Sequence, residues 1–180
     1  MDITFLGKTG FKIVARELTV TIDAKAGLKA DLHLYSSRQE QKPAEGLLFD
    51  GPGEYEVKGA MIDGVSLGGN NTAFSLLIDD VRLAHLGNLD QDSLSDNELQ
   101  AIGTVDVLMV PLDGRKAEVT SKLISQLEPR IIIPMDYDDA SLKSFASETG
   151  AKGDTQERLK VSRKDLPEDS QQVVILQAKS

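Results

Sequence analysis

The sequence predicts two mixed β-sheets packed face to face with helices outside, an α/β arrangement of α+β type, and three observations predict it. Apolar residues alternate with polar ones through the first half, the period of half-buried strands. Beyond residue 94, apolar strand-like runs alternate with helical patterns that carry their own caps. The chain has 180 residues, 40% of them hydrophobic and 27% charged, which suits one globular domain over 1–180.

The strands come first. Ile3 and Phe5, then Phe11, Ile13 and Ala15, then Leu18, Val20 and Ile22 alternate with polar neighbours, and Gly7 and Gly10 bracket the first turn. Further runs fall at 32–35, 47–49, 55–57, 60–67, 73–78 and 81–86. Asp79-Asp80 separates the last two, and Asp tolerates the left-handed conformation that a two-residue hairpin turn demands. Helices then appear. Ser95 and Glu98 form a capping box with a Leu94–Leu99 staple, opening a helix over 96–102 that Gly103 stops. An apolar strand over 105–111 precedes a helix over 116–127, whose buried face is Ala117, Thr120, Leu123, Ile124 and Leu127 and which Pro129 ends. A buried strand over 131–134 leads to a helix over 139–149 closed by Gly150. Residues 151–171 read as a polar loop with a short strand near 159–161, and 172–177 as the last strand.

Composition excludes several classes of function. With no Cys, the chain has no disulfide, thiolate zinc site, cysteine nucleophile or iron–sulfur cluster. Only His33 and His85 are imidazoles, too few for an ordinary dinuclear zinc centre. The net charge is −9, concentrated in residues 1–150, so no nucleic-acid partner is expected without a local basic patch interleaved with aromatics. No apolar run approaches the roughly 20 residues of a membrane span, and MDITFLGKTG has no signal-type stretch. A cytoplasmic location, without membrane partners, is the expectation.

One string carries more information than a turn. Leu48 to Gly59 reads LFDGPGEYEVKG; physically, Gly51-Pro52-Gly53 is a tight turn between two strands. The string resembles the DGPGEYE segment of small bacterial metallo-β-lactamase-fold proteins related to L-ascorbate-6-phosphate lactonase. Neighbouring pieces come in the same order. ITFLGKTGFKI resembles that family's opening strand and turn, TIDA its T-D-P, VRLAHLGNL its hairpin ending in H-L-G-D-L, and VDVLMVPLDG and EPRIIIPMDY its two later strand ends. The resemblance covers about residues 1–176. It implies a four-layer αβ/βα sandwich with the active site at the strand edges between the sheets. Metal ions there are held by an H-x-H-x-D-H loop, a mid-chain His, the Asp of G-D and a late His, and metal-bound water attacks an ester, lactone, phosphodiester or amide.

At each of those positions the residues differ. Aligned on Ala30–Ser36, the loop has Ser37, Gln39, Gln41 and Lys42 where ligands are expected; the G-D aspartate is Asn88, the late His is Asp136, and Lys8 stands in the first turn. Neutral amides, a hydroxyl and an ammonium are poor donors for a divalent metal, so no metal or other cofactor is expected. An oxygen-rich cluster of Asp136 with Asp50, Asp90 and Asp23 is the alternative metal site. His85 reads as a hydrogen-bonded strand-end residue, His33 as a strand residue facing away from Leu32 and Leu34 or satisfied by a neighbour, and Asp138 or Asp139 as an N-cap. Ser36 or Ser37 with a His and an Asp supplies triad residues without a nucleophile elbow. Lys8, Arg38 and Lys42 are candidates to hold an anion at the former site, unless Glu40, Glu45 or Asp136 neutralises them.

The function expected is therefore that of a non-catalytic metallo-β-lactamase-fold protein, a pseudo-hydrolase that binds an anionic small molecule or assembles with a second copy. The alternative is a metal-dependent hydrolase with an atypical carboxylate-rich site, acting on a phosphodiester, lactone or lactam bond.

Overall fold

The computed structural model describes residues 1–39, 43, 45–112, 114–151 and 155–179. Gln41 and Lys42, two of the candidate site residues, lie outside them.

The first sheet begins with β1 (Asp2–Gly7), β2 (Gly10–Val14), β3 (Thr19–Ile22), β4 (Leu32–Leu34) and β5 (Leu47–Phe49). Here β1, β2 and β3 run antiparallel, and β4 and β5 add in parallel. The second sheet is built from β6 (Gly53–Val57), β7 (Ala60–Ser66), β8 (Thr72–Ile78), β9 (Val81–His85), β10 (Val107–Pro111) and β11 (Ile131–Met135). Antiparallel hairpins connect β6 to β9, and β9, β10 and β11 are parallel. Parallel neighbours need crossovers. Helices α1 (Asp96–Ile102) and α2 (Ala117–Leu127) supply two of them, and α3 (Asp139–Thr149) comes after β11.

The helix ends form where local chemistry places them. Ser95 and Glu98 close a reciprocal capping box on α1, Asp138 and Ser141 do the same for α3, and Gly150 ends α3 in the left-handed conformation. At the β8–β9 hairpin, Asp79 and Asp80 both take positive φ, 50° and 61°, as a two-residue turn of this hand requires.

Burial then divides in two. One apolar cluster lies between the sheets, including Ile3, Phe11, Ile13 and Val20 from the first and Phe74, Leu83, Val107 and Ile133 from the second. The other lies under the helices, where Leu86, Leu108, Val110 and Ile132 meet Ile102, Leu123 and Phe145. Helical cover is thus on the second sheet. On the first, the face away from Leu32 and Leu34 carries Thr21 and His33, ladder partners joined by a hydrogen bond from Thr21 Oγ1 to His33 Nδ1 of 2.8 Å. His33 Nε2 reaches the Glu45 carbonyl at 3.0 Å, so its ring is satisfied within the fold.

The expected last strand, 172–177, is two. β14 (Gln172–Val173) extends the second sheet beside β11, whereas β15 (Ile175–Leu176) pairs with β12 (Thr155–Gln156) in a separate two-stranded ladder. Val174 between them is buried and donates to Ile132, so the chain changes partner there. β13 (Leu159–Lys160) lies antiparallel to β1 at the edge of the first sheet. Among the described residues no helix is long and apolar enough to cross a membrane.

Candidate functional site

At one end of the sandwich the β1–β2 turn, the ends of β3, β9 and β11 and the loops after β4 and β7 converge, and hydrogen bonds pass from sheet to sheet. Thr72 N–H donates to the Ser36 carbonyl at 2.7 Å, and Asp136 N–H to the Lys8 carbonyl at 2.7 Å. His85 Nε2 lies 2.8 Å from the Thr9 carbonyl. These contacts form a polar seam above the apolar inter-sheet core.

His85 is its deepest member. The ring is fully buried and meets the edge of Phe11 at 5.8 Å. Gly87 N–H donates to Nδ1 at 3.1 Å, so Nδ1 is an acceptor and the ring proton sits on Nε2, where it bonds Thr9. Burial pushes the imidazole pKa below its ordinary value, against the opposing pull of Asp23 and the Thr9 carbonyl. Gly87 has φ of 62°, and a Cβ there would lie 2.3 Å from Asn71 Oδ1 and 2.6 Å from Ser36 Cβ. Only glycine fits between them.

Around that glycine the polar side chains bond one another. Asp23 accepts from Ser36 N–H and from Ser36 Oγ, both at 2.7 Å. Asn88 Nδ2 reaches Ser36 Oγ at 3.5 Å, Asn88 N–H donates to Asn71 Oδ1 at 2.9 Å, and Asn71 Nδ2 donates to the Leu86 carbonyl at 3.0 Å. Burial raises the pKa of the neighbouring Tyr35 phenol, and the Asp23 charge adds to that rise. Among the described residues Ser36, His85 and Asp23 do not stand in the Ser–His–Asp order of a hydrolytic triad, because Ser36 bonds Asp23 directly and both His85 nitrogens face backbone groups, and the His33 nitrogens are held by Thr21 and the Glu45 carbonyl.

The other residues singled out in the sequence have plain positions. Ser37 accepts through its carbonyl from Gln39 Nε2, and Gln39 N–H donates to Asp50 Oδ2 at 2.8 Å. Asp90 and Asp92 lie near the half-buried Arg115. Among the described residues no group of three or more His, Asp or Glu is arranged to hold a metal ion; Asp23, Asp50, Asp90 and Asp136 therefore do not gather into an oxygen-rich cluster. Lys8 is exposed at the tip of its turn. Arg38 borders a groove of about 320 Å³ with Asp50 and Pro52 on one wall and Ser66, Asn70 and Asn71 on the other. Lys8 is not among the residues lining that groove. Asn71, Thr72 and Thr9 carry seam contacts that no local motif announces.

Solved structures share this architecture. A protein from Thermotoga maritima assigned to the Zn-dependent hydrolases of the metallo-β-lactamase superfamily superposes with a TM-score of 0.84 at 23% identity, covering 99% of each chain. A metallo hydrolase from the archaeon Ignicoccus hospitalis gives 0.65 at 17% identity, covering 89% of this chain and 99% of its own. Isothiocyanate hydrolase from Delia radicum gut bacteria gives 0.64 at 12%, covering 90% and 100%. At these identities the likeness establishes the fold. No curated protein matches the chain. Residues 2–136 match the β-lactamase superfamily domain, a stretch that contains β1 to β11 and the seam residues, and the chain belongs to that superfamily in its metallo-β-lactamase fold.

Proposed function

We propose that this chain is a non-catalytic member of its superfamily, from the lactonase-related branch, and that it works by binding. The observation that carries this reading is the donor set at the strand ends. The positions at which the resemblance expects ligands hold Ser37, Gln39, Gln41, Lys42, Asn88 and Asp136, one carboxylate among neutral groups and a cation, which does not fit a zinc or dinuclear centre. The nearby Asp23 is bonded to Ser36, and both nitrogens of His85 are engaged within the fold. Releasing either for a metal breaks a buried hydrogen bond.

The ligand best matched is an anionic small molecule, with a second copy of the chain as the assembly alternative. Arg38 presents a guanidinium to a groove otherwise lined by amide, hydroxyl and carboxylate groups, and Arg binds carboxylate or phosphate bidentately. Lys8 is exposed on the β1–β2 turn, and Lys42 is four residues from Arg38 in the sequence.

Elemental analysis with a hydrolase assay tests the reading. The expected result is no stoichiometric zinc after dialysis and no chelator-sensitive hydrolysis of a generic phosphodiester, lactone or lactam. About one metal per chain with such activity overturns it in favour of the hydrolase reading. Inorganic phosphate at tenfold its Kd should stabilise the protein by about 1.4 kcal/mol at low ionic strength, roughly 3–6 °C in Tm. Added salt should shrink that gain, and Arg38→Ala or Lys42→Ala should remove most of it.

A further inference from the structure

We propose that the strand-end seam is an acid-sensitive latch: protonation of His85 releases Gly87 and Asn88 and opens the contact between the two sheets. The geometry carries this. Among the described residues, His85 Nδ1 accepts from the Gly87 N–H and Nε2–H donates to the Thr9 carbonyl. A proton arriving on Nδ1 turns the acceptor into a donor facing another donor, and the Gly87 bond is lost. Gly87 cannot shift alone. It is wedged against Asn71 Oδ1 and the Ser36 side chain, and the next residue, Asn88, is bonded to both of those residues. Displacing Gly87 therefore withdraws Asn88 from Asn71 and Ser36 together.

The surroundings decide the response to acid. Asp23, at the end of β3, is the carboxylate whose field reaches the imidazole. Lys8 projects from the turn that supplies the Thr9 carbonyl, and Asp136 is hydrogen-bonded to that same turn. The ladder partners Phe74 and Met109, and the Phe11 ring, bring no charge. The proton thus enters an apolar socket beside the Asp23 carboxylate, and opening the seam to water is the route by which the imidazolium is solvated.

The proposal deepens the metal-free reading of the rim and rests on it, so the metal content of the same sample is measured first. That reading fails on the metal count, whereas the latch fails on amide protection. In isotopically labelled protein, the His85 imidazole shifts are tracked with the amide protection of Gly87, Asn88 and the centres of β9 and β10 as pH is lowered from 8. The expected result is that Gly87 and Asn88 lose protection by up to about tenfold per pH unit as pH falls from the ordinary imidazole value near 6.5 toward the lowered His85 midpoint, with no further loss below it, while the strand centres keep theirs. In His85→Gln, whose carboxamide accepts and donates without titrating, that loss should vanish. Protection at Asn88 that stays constant through the His85 titration overturns the proposal. So does loss only together with the strand centres, or loss that persists in His85→Gln. If the variant does not fold, the coincidence of midpoints in the native protein decides.

Discussion

The two ends of the sandwich solve the same problem, closing strand ends over an apolar core, by different means. At the seam end, Lys8, Asp23 and Asp136 hold φ of 52°, 46° and 47°. At the other end, Lys58, Asp79, Asp80 and Glu128 are the non-glycine residues with positive φ among those described. Those four are explained locally, since Lys58, Asp79 and Asp80 form hairpin turns and Glu128 is the left-handed C-cap of α2. Asp23 and Asp136 end strands without a hairpin. Their conformations are kept by tertiary contacts, Asp23 through Ser36 and Asp136 through Lys8. Backbone strain held by tertiary contacts is commoner at functional sites than elsewhere, and Asp23 and Asp136 place it at the seam.

The largest effect that separates the ends is steric. Gly87→Ala places a methyl within 2.6 Å of two seam residues at a positive φ, and we expect a loss of about 3 kcal/mol or more, roughly 6–12 °C in Tm. Gly59→Ala, in the β6–β7 turn at the far end, has positive φ but meets nothing within 4 Å. It should cost about 1 kcal/mol. Equal losses in thermal denaturation would remove the distinction.

Next comes Asp23→Ala. Ser36 is fully buried, and its N–H and Oγ–H both donate to Asp23. The variant leaves two buried donors without acceptors, and about 2–3 kcal/mol should be lost in urea denaturation. Asp23→Asn, which keeps an acceptor oxygen, should recover part of it. A double-mutant cycle with Ser36→Ala should show strong coupling between the two.

What could be read in advance depends on the range of the interaction. The helices over 96–102 and 139–149 were legible because their ends carry local chemical signals, Ser95 with Glu98 at the start of the first, Asp138 and Gly150 at the two ends of the second. Asp79-Asp80 announced its hairpin in the same way. The seam was not legible. Its bonds join Ser36 to Thr72, Thr9 to His85 and Lys8 to Asp136, and two of the three are between backbone atoms, which carry no residue signature. His85 occupies the hydrogen-bonded strand-end place its position before Gly87 suggested, but its partner on another sheet could not be named. The split at Val174 was hidden for a related reason: a continuous apolar run does not say when it changes partner.

A smaller difference between the ends appears on acidification. His85 has its pKa lowered in the folded protein, while the unfolded chain titrates near 6.5. Above that value both states are neutral and the residue contributes no pH dependence. Below it the unfolded state binds the proton first, so stability falls with pH until the folded-state value is reached, by at most about 1.4 kcal/mol per unit. His85→Gln should flatten this part of the stability–pH curve relative to the native protein. Curves that keep the same slope would show that carboxylates, not His85, dominate there.

The smallest effect belongs to the ion pairs at the far end. Arg163 Nη1 lies 3.3 Å from Asp106, but its side chain is 59% exposed. Asp106 also accepts from Arg82 N–H at 2.9 Å and has Arg130 within 3.8 Å. Removing Arg163 therefore leaves the carboxylate partnered, and an exposed pair gains little because water screens it and two long side chains lose freedom. Arg163→Ala should change stability by less than about 1 kcal/mol, and about 1 M salt should erase the difference. The loss in Asp23→Ala should survive the same salt, since its missing hydrogen bonds surround a buried serine that bulk ions do not reach. If salt abolished both differences, the seam would be surface electrostatics like the far end; if neither responded, Arg163 would be acting through packing of its aliphatic stem.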